Sequence, residues 1–137
     1  MLDGVLEIDR SVSATVDAPP ERCLELLADV EGYPAWSSLI SSASVDGDRV
    51  WLRVSVLGVG FEMVCSLELS AHGAVLGRLP NDAGDDERFE ADWVVTPGAV
   101  ELHVVAALDA PGPARLIRGR VERRVVDDLL ADFVRAL

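Results

Sequence analysis

The sequence predicts an α+β fold in which about seven antiparallel strands wrap around one long C-terminal helix. Two observations carry this. From residue 38 onward, apolar residues alternate with polar ones through six consecutive segments separated by short turns. After Pro111-Gly112-Pro113 the period changes, and Ile117, Val121, Val125, Leu129 and Phe133 recur every four residues. A sheet with one apolar face needs a cover, and the terminal stripe supplies it.

Each element has its own signal. Residues 6–17 read as a first strand that stops at Ala18-Pro19-Pro20, because proline ends a strand and suits the first turn of a helix. The helix that follows runs from Glu21 to Ala28, with Cys23, Leu24, Leu26 and Leu27 on its apolar face. Asp29 is placed to cap a second short helix, which Tyr33-Pro34 interrupts. The six later strands are expected at 38–46, 49–57, 61–70, 74–79, 87–96 and 99–109. Turn residues divide them: Asp46-Gly47-Asp48, Gly58-Val59-Gly60, Ala71-His72-Gly73, Asn81-Asp82-Ala83-Gly84 and Pro97-Gly98. Strands joined by turns this short are antiparallel neighbours.

Alternation also assigns the faces. Phe61, Met63, Cys65, Leu67 and Leu69 point one way, against Glu62, Val64, Ser66 and Glu68. Phe89, Ala91, Trp93 and Val95 oppose Arg88, Glu90, Asp92 and Val94. Leu102, Val104, Ala106 and Leu108 oppose Glu101, His103 and Val105. The terminal helix is expected over 113–136, with Arg123–Asp127 and Arg124–Asp128 as i,i+4 pairs on its wet side.

Length and charge narrow the function. The 137 residues fit one domain spanning 1–137, with no internal repeat or linker. No apolar run approaches the ~18 residues of a membrane span, and Met1-Leu2-Asp3-Gly4 lacks the basic start of a signal peptide. A cytoplasmic protein without stable membrane insertion is expected. The net charge of -12 argues against nucleic acid and against docking on anionic membranes. All 12 basic residues are arginine, as in GC-rich coding sequences, and six of them lie after residue 110 beside only four acids. The five between 115 and 124 read as a solvated helix face. Cys23 and Cys65 form no CxxC pair, and His72 and His103 show no metal spacing, so neither a metal nor a cofactor is expected.

The segments Val16-Asp17-Ala18-Pro19-Pro20 and Leu27-Ala28-Asp29-Val30-Glu31-Gly32-Tyr33-Pro34-Ala35-Trp36 resemble the START-like (SRPBCC) superfamily in its polyketide cyclase/dehydrase-like branch. The likeness continues through Glu122-Arg123-Arg124 and Leu129-Leu130. It implies a helix-grip fold, with a curved sheet around the last helix and a cavity between them. Members bind lipids, sterols, polyketide intermediates, quinones or other apolar molecules, and some catalyse cyclisation or dehydration.

On that resemblance the expected ligand-binding residues are Phe61, Met63 and Cys65, then Phe89, Ala91 and Trp93, then Val104, with Val121 and Val125 from the helix. Tyr33 and Trp36 suit a cavity rim. Arg78 depends on the phase of its strand. With Leu76 it would face inward and hold a carboxylate or phosphate. With Val75, Gly77 and Leu79 inward it is merely exposed, and that wholly apolar set is the expected one. His103 is expected to face solvent. The polar groups that family cyclases place on inward strand positions are missing from the 61–69 stripe, so no catalytic residue is assigned. Three readings stand: binding or carriage of an apolar small molecule, a cyclase/dehydratase acting on a bound polyketide, or an interaction module using the outer sheet face. Trp51 and Val64 on that outer face are compatible with a homodimer.

Overall fold

The computed structural model describes residues 5–79, 88–109 and 117–137. The expected turn at 81–84, Pro111-Gly112-Pro113 and the helix start at 113–116 lie outside the described residues. Strand β1 (Val5–Thr15) leads to helix α1 (Pro20–Ala28), a 3-10 turn (Val30–Gly32) and the short helix α2 (Tyr33–Trp36). Six strands follow: β2 (Ile40–Asp46), β3 (Arg49–Val56), β4 (Val59–Ser70), β5 (Gly73–Arg78), β6 (Arg88–Thr96) and β7 (Ala99–Asp109). The C-terminal helix comprises α3 (Arg118–Glu122), a π-helical turn (Arg123–Asp127) and α4 (Asp128–Ala136).

The sheet has seven strands in the order β1-β7-β6-β5-β4-β3-β2, antiparallel throughout. Each strand from β2 to β7 pairs with its sequence neighbour. The first strand closes the far side against β7, with Ile8 opposite Ala106 and Thr15 opposite Ala99. This is the helix-grip arrangement that the alternating strands and terminal stripe imply.

Local chemistry sets the turns. Between β3 and β4 the turn is Leu57-Gly58, not Gly58-Val59-Gly60. Both residues have positive φ (50° and 84°), the pattern of a type I′ hairpin, and Val59 is already paired with Val56. Pro97-Gly98 joins β6 to β7, with Gly98 at φ 87° where a side chain would be strained. Gly73 starts β5 beneath the backbone of β6, where an added Cβ would overlap the Trp93 carbonyl oxygen. Asp29 makes no side-chain cap, because its carboxylate lies over Gly32 instead.

The core sits between the sheet and the C-terminal helix. Val121, Val125, Val126, Leu129, Leu130 and Phe133 are buried on the helix, against Ile8, Ala91, Trp93, Leu102 and Val104 of the sheet. The π turn accounts for a departure from the expected four-residue period. An i→i+5 turn inserts one residue and advances the phase. The neighbours Val125 and Val126 are thus both buried. The same turn aims Asp127 at the sheet, where its carboxylate accepts two bonds from Arg10 of β1, at 2.6 Å from Nε and 2.9 Å from the second nitrogen. The expected Arg123–Asp127 pair therefore gives way to a helix-to-sheet clamp. Arg124–Asp128 forms as expected at 3.3 Å. The apolar stripe of β4 ends sooner than its alternation suggests. Leu69 is 54% exposed, because the helical cover does not reach that corner of the sheet.

Candidate functional site

The helix does not close down on the whole sheet. Under β7 and β1 it packs directly, and Val104 is fully buried there. Under β3 to β6 a cavity of about 310 Å³ remains. Val125 and Leu129 form its helical wall. Leu52 and Val54 of β3, Met63 of β4, Leu76 of β5 and Ala91 and Trp93 of β6 form its sheet wall. Tyr33, Trp36, Leu39 and Ile40 close a third side. The cavity opens where exposed Gly60 and Glu62 join Val56, Phe61, Arg78 and Phe89 in the lining, at the β3–β4 hairpin.

Of the expected residues, Tyr33, Trp36, Phe61, Met63, Arg78, Phe89, Ala91, Trp93 and Val125 border this cavity. Cys65, Val104 and Val121 do not. They are buried in the core outside the cavity lining. Leu39, Ile40, Leu52, Val54, Leu76 and Leu129 are lining residues that sequence reasoning did not single out. A signal existed for Leu52 and Val54, since they alternate with Trp51 and Arg53 on the wet face.

Arg78 corrects the expected phase of β5. Leu76 and Arg78 point inward, while Val75 and Gly77 face out. The register decides this, not the apolarity of the competing set. Leu76 stands between Leu67 and Ala91, both on the inner face, and Arg78 stands opposite Cys65. The cavity lining thus includes a guanidinium, whereas Glu62 borders the mouth from a strand position whose side chain belongs to the outer face, opposite Arg53.

Of the other polar groups of the wall, the Trp36 indole N–H is buried without a hydrogen-bond partner, whereas the Tyr33 hydroxyl is tied down. The Tyr33 hydroxyl donates to the Leu27 carbonyl oxygen. Burial, and then the nearby Asp29 carboxylate, push its pKa upward. Burial likewise pushes the neighbouring Cys65 thiol up to about 11, with Arg78 acting in the opposite direction. Neither group ionises at neutral pH. The Trp36 indole meets Tyr33 and Phe133 edge-on at 5.4 and 5.5 Å, and Phe133 meets Trp93 at 4.8 Å. These four rings brace α2, α4 and β6 against one another.

A polar clasp holds the wall beside them. Asp132 is 3% exposed on an otherwise apolar helix face. Its carboxylate accepts the Ser38 backbone N–H at 2.8 Å and the Ser38 hydroxyl at 2.7 Å, and it pairs with Arg135. Arg124 donates to the Ser38 hydroxyl at 2.8 Å and to its carbonyl oxygen at 3.1 Å. Burial works to raise the Asp132 pKa, but the Ser38 bonds and Arg135 outweigh it and hold the carboxyl below its ordinary value. The clasp fixes α4 to the segment that carries Leu39 and Ile40.

Chemically, the described lining is that of an apolar container to which Arg78 adds an inward guanidinium. Histidine is absent from its described lining, and among the described residues no group of three potential metal ligands occurs.

A family model described as polyketide cyclase / dehydrase and lipid transport matches residues 16–134. No curated protein matches by sequence. Among solved structures, a START superfamily protein from Mycobacterium smegmatis is 18% identical, with a TM-score of 0.62 over 95% of this chain and 97% of that one. A protein from Thermus thermophilus is 18% identical, with a TM-score of 0.67 over 96% and 94%. The Zhui aromatase/cyclase from a Streptomyces species is 19% identical, with a TM-score of 0.65 over 96% and 93%. At these identities the likeness is one of fold.

Proposed function

The chain belongs to the polyketide cyclase / dehydrase and lipid transport family, and from that premise we propose that it binds and carries one apolar small molecule in the cavity beneath its C-terminal helix. The observation that carries this reading is the chamber of about 310 Å³ walled by Leu52, Val54, Met63, Leu76, Trp93 and Leu129. Its volume falls at the lower end of ordinary small-molecule sites. An acyl chain, a polyketide or an isoprenoid has the right chemistry. With the Tyr33 hydroxyl engaged and its ionisation disfavoured by burial, the described wall offers a ligand shape, an apolar surface and the Trp36 N–H rather than proton transfer.

The inward Arg78 favours a second reading, a cyclase or dehydratase in which its guanidinium holds an oxygen of a bound polyketide. One experiment separates the two. Protein purified from its own host is examined by native mass spectrometry, then incubated with fatty acids, isoprenoids and aromatic polyketide precursors while product formation is followed. A retained apolar molecule and unchanged ligands support the carrier. Turnover that Arg78→Gln abolishes supports the enzyme. Absence of any bound molecule across the whole panel overturns both.

A further inference from the structure

The apolar wall of the cavity does not stop at its mouth. Along the inner side of β4, Met63 is 8% exposed, Phe61 is half-buried and Val59, in phase with both, is 50% exposed. Val59 stands opposite Val56, which still lines the cavity. At the hairpin tip Leu57 is 45% exposed. From Val56 to Phe61 the chain carries no charge and no hydrogen-bonding side chain. An uncharged apolar ramp thus runs from the chamber out to the tip.

The tip also bears strain. Leu57 has φ 50°, a conformation costly for a branched side chain, at a turn position where Asn or Gly is preferred. An exposed leucine there gains no packing in return. A strained, solvent-facing apolar residue at a ligand site points to a role outside the folded core.

We propose that the β3–β4 hairpin tip, Leu57 with Val59, seats reversibly in an uncharged lipid surface, from which the apolar ligand climbs the Val59–Phe61–Met63 ramp into the cavity. The net charge of -12 opposes an anionic bilayer, so a zwitterionic surface is the one this tip fits. Two apolar side chains provide shallow, short-lived contact, as a carrier that must leave again requires. The route into the cavity rests on the carrier reading above, whereas the docking itself does not.

The test uses the full chain with Ser55→Cys, an exposed position beside the tip, labelled with an environment-sensitive fluorophore; Cys23 and Cys65 are buried and stay unlabelled. With phosphatidylcholine vesicles the emission is expected to shift to the blue. Leu57→Asn supplies the residue the turn prefers, so it is expected to raise the unfolding midpoint while reducing the vesicle response at least tenfold. Val59→Asp gives the same loss. Uptake of a pyrene-labelled fatty acid from vesicles is expected to accelerate with vesicle concentration in the parent and to slow tenfold in Leu57→Asn. Its affinity when delivered from cyclodextrin stays unchanged. A parent that ignores vesicles, or variants that respond as the parent does, overturns the proposal. So does concentration-dependent self-association that Leu57→Asn abolishes, which would assign the tip to a second copy. Failure of the probe to bind from cyclodextrin would sink the carrier reading, while the emission shift would still decide the docking.

Discussion

Asp132 is a carboxylate inside an apolar helix face, and its neighbours explain why it is tolerated. Each bond from Ser38 and Arg135 favours the charged form and offsets the cost of burial. Asp132→Ala removes the acceptor and leaves the Ser38 N–H without its partner. The expected loss is about 1–3 kcal/mol in denaturant unfolding, the usual range for stranding a buried polar group. A change within 0.5 kcal/mol, of the order of ordinary surface substitutions, would contradict the clasp. Asp132→Asn keeps the shape and removes the titration. Because the folded-state pKa lies below the ordinary value of 3.8, the carboxylate stabilises the protein above that value. This contribution fades as pH falls through the folded-state value. Stability measured from pH 6 downward should therefore decline less steeply in Asp132→Asn than in the parent. Parallel curves would mean that the charge is not what the clasp holds.

At the scale of elements, the C-terminal helix is both the cover of the core and one wall of a void, and its residues should differ in cost accordingly. Phe133 is fully buried between Trp36 and Trp93. Phe133→Ala should cost about 3–5 kcal/mol. Leu129 already faces empty space on one side, so Leu129→Ala should lie near the bottom of the leucine range, about 2 kcal/mol. Chemical denaturation of both variants checks the order, and a larger loss for Leu129→Ala would mean the cavity is absent in solution. The alternation of Val50, Leu52, Val54 and Val56 made the strands legible in the sequence, and the stripe through Val121 and Phe133 did the same for the helix. Those patterns depend only on which side is wet. The rest depends on pairing between distant segments. Nothing local marks the π turn at Arg123–Asp127, which becomes intelligible once Asp127 is seen bonded to Arg10. Arg10 itself gave a hint, since it is in phase with Leu6, Ile8 and Val12 on the inner face of β1. The direction of Arg78 was illegible because β5 is short and both of its faces carry apolar residues. Its phase comes from Leu67 and Ala91 across the ladder. The same limit separates the lining residues from Cys65, Val104 and Val121. Cys65 and Val104 share the sheet's inner face and Val121 the helix's apolar stripe, and alternation alone does not say which buried residue borders a void.

At the scale of the whole molecule, binding and stability are linked. A ligand that fits only the folded chamber raises stability by RT ln(1 + [L]/Kd), about 2.7 kcal/mol at a hundredfold excess over Kd. Ala91 offers a way to test this without touching a charged group. It is 1% exposed, it borders the cavity, and it lies between Phe89 and Trp93 on the same strand face. Bulk placed in a packed core costs about 1–3 kcal/mol, whereas bulk placed in a void of about 310 Å³ finds room. Ala91→Trp should therefore unfold within 1 kcal/mol of the parent in the absence of ligand. In the parent, an apolar ligand should change the emission of Trp93, raise the unfolding midpoint and bind with a negative heat-capacity change. In Ala91→Trp all three effects should disappear together, because one indole occupies the space they share. If the variant unfolds outright, the space beneath the helix is packed in solution. If it folds and still takes up ligand with the parent's affinity, the ligand sits somewhere other than between β6 and the C-terminal helix.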